Sequence, residues 1–241
     1  VKVLDAAGDV RAHPTGKLGA LGLTARDGYE AVQATAGGNR SLHGYFEGLV
    51  CGSIVTCDDV LRDISVRTGG FIASARNPVE LSWVRENAAV GAISLALQLG
   101  ARMREALPDG ADAVIAALCD TVGAKELTRG SIRHVVPLRT QGGFDHGTFA
   151  VGEYEIPYLN EYLAVDASGE RLATYPDTIA LLSVADGRPV AIKDAAEGAE
   201  VAVVVADAGQ LPRSSSASDV VALTEVEEIT GISLVEHLSL P

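Results

Sequence analysis

Two polar pairs interrupt the otherwise apolar run between Tyr158 and Ser183: Asn160-Glu161 in "YLNEYLAV" and Pro176-Asp177 in "YPDT". Glu161 breaks one strand-like stretch and Asp177 stands at the edge of another. Carboxylates so placed can act as acid, base or metal ligand; turn capping and surface placement are the commoner roles. Two histidines widen the set. His13, in "RAHP", precedes a proline and is expected in extended chain. His146, in "GGFDHG", is expected in a glycine-bounded turn beside Asp145. For both, a solvated loop histidine is the commoner case. The histidines at 13, 43, 134, 146 and 237 are isolated from one another, so a metal site would require them to converge in space with Asp or Glu.

Other chemistry finds less support. Cys57 precedes Asp58-Asp59 at an expected helix start, where the helix N-terminus would lower the thiol pKa and the two carboxylates would raise it. Cys51 and Cys119 lie in apolar surroundings and suit small core positions. "GALGL" at 19–23 and the glycine pairs at 37–38, 69–70 and 142–143 form neither a Walker loop nor GxGxxG between a strand and a helix. They read as turn glycines.

The elements that must position these groups fall into two parts. Residues 1 to about 78 are glycine-rich and irregular, with a strand expected at 2–5 and a helix from 57 or 58 through 64; the stretch 46–56 is ambiguous between helix and strand. "TGGFIASA" reads as a glycine turn entering a short buried strand. From Pro78 to Leu107, apolar or small residues recur at 81, 84, 88, 92, 95, 99, 103 and 107, which predicts one long helix stopped by Pro108-Asp109-Gly110. Ala88, Gly91 and Ala92 would let another backbone approach it closely. A second helix is expected over 111–122, ended by Gly123. After Gly130 the period shifts toward two, and "SIRHVVPLRT", "GTFAVGEYEIPYLNEYLAV", "RLATYPDTIALLSV", "RPVAIK" and "EVAVVVA" read as strands separated by turns. The last twenty residues are expected to close the chain as a short helix or strand. The expected fold is α+β: an N-terminal α/β portion (1–128) with two packed helices, followed by an antiparallel β-rich sandwich or partly closed barrel (129–241).

Composition narrows the partners. With 47% hydrophobic residues in 241, the chain can bury a substantial core. Its 19 basic against 32 acidic side chains leave a net charge of −13, which repels a nucleic-acid backbone and an anionic membrane surface. Three scattered cysteines make no disulfide framework, and neither a membrane span nor a signal sequence is present, so the cytoplasm is the expected compartment. The chain starts at Val1 on "VKVLDA", which looks like a strand already under way; a removed start segment or a piece of a longer chain would explain it, whereas an N-terminal nucleophile would need Thr, Ser or Cys there.

An ordered set of stretches resembles the S-methyl thiohydantoin desulfurase family, associated with hydantoinase and oxoprolinase proteins. These are "DVRAHPTGKLG" (9–19), "GGN" (37–39), "TGGFIASARNP" (68–78), "AAVGAISLALQLGARMREA" (88–106), "GGFDHGTFAVG" (142–152), "YLNEYLAV" (158–165) and "LATYPDTIALLSVADGRPV" (172–190). The resemblance is to the C-terminal two-thirds of a typical member; the family's glycine-rich N-terminal stretch and its aromatic, glycine-rich ending do not occur here. It implies a two-domain hydrolase acting on a small cyclic amide, removing methanethiol from an S-methylated thiohydantoin ring, together with an N-terminal segment, a partner subunit or a homo-oligomer. It makes Asn160, Glu161 and Asp177 catalytic candidates, to which His146 is added with His13 in support, and a divalent metal such as zinc the cofactor to look for. The rival expectation is a non-catalytic assembly domain that binds a hydantoinase-type partner through the small-residue face of the helix at 80–107.

Overall fold

In the structure, a computed structural model, residues 3–11, 13–42 and 44–238 are described. The chain starts with a two-residue strand, β1 (Ala6–Ala7), and an irregular strap, and then builds a small antiparallel sheet from β2 (Ala31–Gly37), β3 (Phe46–Gly52) and β4 (Ile72–Arg76), in the order β3-β2-β4. Helix α1 (Ile54–Arg67) lies between β3 and β4 in sequence. Ser53 caps it, accepting from the Thr56 N–H at 3.1 Å. In β2, Ala31, Gln33 and Thr35 are buried while Val32 and Ala34 are exposed, the alternation of a strand covered on one side. The ambiguous 46–56 stretch is thus strand followed by helix. β4, expected to be buried, is an edge strand that is mostly exposed, because its one neighbour is β2.

The long helix expected over 78–107 is two helices, α2 (Leu81–Asn87) and α3 (Ala92–Ala106), separated by the short strand β5 (Ala89–Val90). Ala88 is extended, Gly91 takes a positive φ of 88°, and β5 pairs with β1 in the register Ala6↔Val90 and Ala7↔Ala89. The apolar spacing does not mark one buried stripe: Leu81 and Leu107 are exposed, whereas Leu99 and Met103 of α3 pack with Ile115 and Leu118. What cuts the helix is a strand some eighty positions away in the sequence, in a segment whose irregular residues give no period to read. The close approach foreseen at Ala88–Ala92 is therefore made by β1, and the Gly91 N–H donates to the Asp5 carbonyl at 2.8 Å. Helix α4 (Ala111–Val122) spans the expected residues, starting after Gly110 and ending at Gly123, whose φ of 66° suits glycine.

Beyond α4 the chain is one large antiparallel sheet: β6 (Lys125–Gln141), β7 (Phe144–Val151), β8 (Tyr154–Leu159), β10 (Ala164–Ala167), β11 (Glu170–Thr174), β12 (Thr178–Ser183) and β13 (Glu200–Ala206), ordered β11-β10-β8-β7-β6-β13-β12. β9 (Glu161–Tyr162) pairs with β8 off this path. Side chains from all these strands meet in one core, including Ile132, Phe149, Ile156, Tyr162, Val165, Ala173, Leu181 and Val203, so the sheet curls into a half-barrel. This is the α+β architecture expected. β13 is buried on both faces: Val201 and Val203 point into the barrel, while Ala202 and Val204 pack with Ile115 and Leu118 of α4. "RPVAIK" forms no full strand; Pro189 makes an isolated bridge to Leu182 and a short 3-10 turn follows at Ile192–Asp194. Helix α5 (Val220–Thr230), capped by Asp219, closes a second core with Phe144, Leu159, Leu163 and Tyr175. The strand expected at 2–5 begins instead at Ala6, and residue 2 and His43 lie outside the described residues.

Gly187, in the turn after β12, holds α4 against the sheet. Its φ is 72° and a Cβ there would fall 2.6 Å from the Val114 Cβ, whereas Gly152, at φ 61°, faces open space. In urea titrations Gly152→Ala is expected to cost about 1 kcal/mol through backbone strain alone. Gly187→Ala adds overpacking and is expected to cost about 2–4 kcal/mol.

Candidate functional site

The strap between β1 and the first 3-10 turn brings the candidates together. Arg11 lies across the loops at one end of the barrel, donating through one guanidinium nitrogen to the Asp177 carbonyl and through the other to the Tyr162 carbonyl at 3.1 Å. Its guanidinium stacks over the Tyr175 ring, 4.5 Å from the centroid. The Tyr175 hydroxyl donates to Asp9 Oδ2 at 3.3 Å, and the Asp9 Oδ1 accepts from the Val10 N–H at 2.8 Å. Asp9, Arg11, Glu161, Tyr175 and Asp177 therefore form one cluster, assembled from the strap, β9 and the cis Tyr175-Pro176 corner.

Burial sets its electrostatics. It pushes the Asp9 carboxyl above the usual carboxylate range, with the Arg11 charge opposing. Glu161 is raised for the same reason, again against the pull of Arg11. The Tyr175 phenol is driven far upward by burial and then by the Asp9 charge, so it remains a proton donor to Asp9. The arrangement holds two carboxyls of raised proton affinity beside a fixed cation, the combination a general acid or base needs.

The other candidates take different places. Asp177 uses both carboxylate oxygens on backbone, Oδ1 accepting from the Ala208 N–H at 2.9 Å and Oδ2 from the Thr174 N–H at 3.3 Å. It fixes the corner after cis-Pro176 and lines an adjacent polar cleft of about 380 Å³ with Asp207, Arg213 and His237. Asn160 sits at a positive φ of 54°; its side-chain oxygen accepts from the Asp145 N–H at 2.9 Å and its amide donates to the Pro14 carbonyl at 3.3 Å. It bolts the strap to the start of β7 at the end of β8. His146 is not in a turn: the two-residue loop is Gly142-Gly143, both at positive φ, and His146 lies within β7 opposite Arg139 and Leu159. Among the described residues no hydrogen bond or ion pair ties its ring to the cluster.

His13 packs so closely against the strap that a Cβ on Gly19 would fall 2.3 Å from its Nε2, and its Nδ1 is buried without a hydrogen-bond partner. Burial holds its pKa below the ordinary value, with Asp9 and Asp58 pulling up and Arg76 pushing down. Cys57 is fully buried and its thiol is pushed up by that burial, which suits a core residue rather than a nucleophile. Among the described residues no three His, Cys, Asp or Glu side chains converge to hold a metal ion, and no helix is long and apolar enough to cross a membrane.

Sequence reasoning singled out Asn160, Glu161, Asp177 and His13 but passed over Asp9, Arg11 and Tyr175. All three lie in stretches that carried the resemblance, "DVRAHP" and "LATYPDT"; a buried-type tyrosine beside proline and an arginine in a glycine-rich strap were the available signals.

Two measurements test these placements. Asn160→Ala loses both side-chain bonds and strains the backbone, so it is expected to lower stability by about 2–3 kcal/mol in urea, and Asn160→Gly, which relieves the strain, by less. Since His13 is buried neutral, its contribution to stability is full above the unfolded pKa, near 6.5, and is lost as pH falls through the lower folded value. Stability of the wild type should accordingly drop more between pH 7 and 5 than that of His13→Gln.

The profile of the family described as "S-Me-THD-like, C-terminal domain" matches residues 53–225, well over half of the chain. Asn160, Glu161, Tyr175 and Asp177 fall inside that match; Asp9, Arg11 and His13 precede it. No curated protein and no solved structure matches. On the family match, the chain belongs to the S-Me-THD-like C-terminal domain family.

Proposed function

We propose that the protein hydrolyses a small cyclic amide of the S-methyl thiohydantoin class, with Asp9 and Glu161 as the proton-transfer groups. The observation that carries this reading is the pair of carboxyls with raised proton affinity around Arg11, in a member of a family whose description bears the thiohydantoin name. Ionised Asp9, oriented by the Tyr175 hydroxyl, takes a proton from water as the water oxygen bonds to the ring carbon bearing the methylthio group. The C–S bond then breaks as the ring C–N double bond re-forms, Asp9 returns its proton to the departing methanethiolate, and the 2-hydroxy ring becomes the hydantoin when Glu161 carries the hydroxyl proton to the ring nitrogen. Arg11 offsets the negative charge that develops on the ring. Asn160 and Asp177 act as positioning residues, since their side-chain bonds all go to backbone.

The test is release of methanethiol from a 2-methylthio-hydantoin, followed with a thiol reagent. Asp9→Asn is expected to lower kcat by at least about 100-fold with the fold retained by circular dichroism, and Glu161→Gln by a smaller factor. Full activity in Asp9→Asn, or no methanethiol from the wild type, would overturn the reading.

A second reading, an assembly domain of a hydantoinase-type complex, is favoured by the outer face of the β3-β2-β4 sheet. Val32, Ala34, Leu49, Cys51, Ala73 and Ala75 lie exposed there in neighbouring registers. Under this reading Leu49→Asp abolishes a stable complex with the partner subunit in sedimentation experiments, and no turnover accompanies the complex.

A further inference from the structure

A cavity of about 120 Å³ lies between α3, α4 and the outer face of β12 and β13. Its walls include Val10, Leu99, Leu118, Ala180 and Val204, and Thr178 stands among them. The void has a sequence cause. Thr178, Ala180 and Leu182 point to the helices from β12, as do Ala206, Val204 and Ala202 from the paired positions of β13. Around Leu182 this layer is filled by Ile115 and Leu118, but toward Thr178 the small side chains Ala180, Ala206, Ala124 and Ala96 leave space among Val10, Leu95, Leu99, Val122 and Leu211.

Two facts separate this cavity from a packing fault. The Thr178 hydroxyl is buried and has no hydrogen-bond partner, whereas buried hydroxyls are normally satisfied. A water there would need two to four polar partners, and Thr178 is the one polar side chain in the wall. A molecule bringing its own apolar bulk and one polar atom fits better. Second, the two segments that build the cluster also wall the cavity: Val10 lies between Asp9 and Arg11, and Thr178 follows Asp177. The cavity and the cluster are thus built on the same two segments of chain.

We propose that this cavity is the specificity pocket for the substrate's ring substituent, taking an aliphatic group of about leucine size, with the Thr178 hydroxyl bonded to a polar atom of the ring. This rests on the reading of the cluster as a cyclic-amide site. The volume suits such a group, since an apolar cavity of roughly 150 Å³ takes benzene. A carboxylate-bearing substituent is rejected, because the pocket offers no partner for a buried charge.

Calorimetric titration of the whole chain with 5-isobutyl-, 5-methyl- and 5-carboxymethyl-hydantoin tests the proposal, with cyclopentanol as a probe of the cavity alone. The isobutyl compound is expected to bind at least about tenfold tighter than the methyl compound, and the carboxymethyl compound most weakly. Ala180→Leu fills the cavity from the sheet. Ala96→Leu fills it from an exposed position of α3, where folding is not at stake, and should abolish both the isobutyl preference and cyclopentanol binding. Equal binding of the isobutyl and methyl compounds, or cyclopentanol binding untouched by Ala96→Leu, overturns the pocket while leaving the cluster reading standing. Cyclopentanol binding without binding of any hydantoin removes the cyclic-amide reading and the substrate assignment with it.

Discussion

One buried guanidinium ties the two ends of the architecture together. Arg11, on a strap with little regular structure of its own, satisfies the carbonyls of Tyr162 and Asp177 and covers the Tyr175 ring. Those carbonyls belong to the short strand β9 and to the corner before β12, and a carbonyl turned inward there would be a costly orphan without a donor. A planar cation with five N–H groups serves several acceptors at once, which lysine could not do in a fixed plane. Because the charge is held off solvent, Asp9 and Glu161 gather around it, and the same burial raises their proton affinity. Stability and chemistry at this end of the molecule thus rest on one contact.

The strap is held at further points along its length. Asn160 reaches the Pro14 carbonyl, Lys17 pairs with Asp59 of α1 at 3.1 Å and Glu225 of α5 at 2.8 Å, and Leu18 is fully buried with Leu163 and Tyr175. Lys17 is itself almost wholly buried, so its two carboxylates compensate a charge withdrawn from water. Through these contacts the strap connects α1, α5 and the barrel mouth. The cluster is therefore a product of packing between distant segments, and every part of it depends on the others for position.

The polar pairs in the run from Tyr158 to Ser183 divide by what their atoms touch. Asn160 and Asp177 spend their side chains on backbone groups at tight corners, where short polar side chains replace missing main-chain bonds. Glu161, one position along from Asn160, is left beside Arg11. In sequence the two neighbours look alike. The difference arises because Asn160 turns the chain at a positive φ, which sends its side chain back along the strap and presents Glu161 to the cluster.

Local rules made much of the fold legible. Helix α4 could be bounded from Gly110 and Gly123, the Gly142-Gly143 turn from its glycines, and β13 from its period, because each depends on backbone preferences or burial acting within a few residues. The runs 147–165 and 171–184, each read as one strand-like stretch, are instead broken into β7 to β10 and β11 to β12. The family was legible for a related reason: its stretches are short and ordered along the chain. The division of the predicted long helix and the open face of β4 were not legible, since each is fixed by a partner far away in sequence; His146 moves from turn to strand because the turn closes at Gly142-Gly143, which leaves it paired with Arg139. The same holds for the site. The sequence by itself determined which polar residues the strands would carry and that the chain would be acidic and able to bury a core; the tertiary structure alone decided that Arg11, Asp9 and Tyr175 would meet Glu161, because a buried charge finds its partners through space and leaves no period in the sequence to announce them.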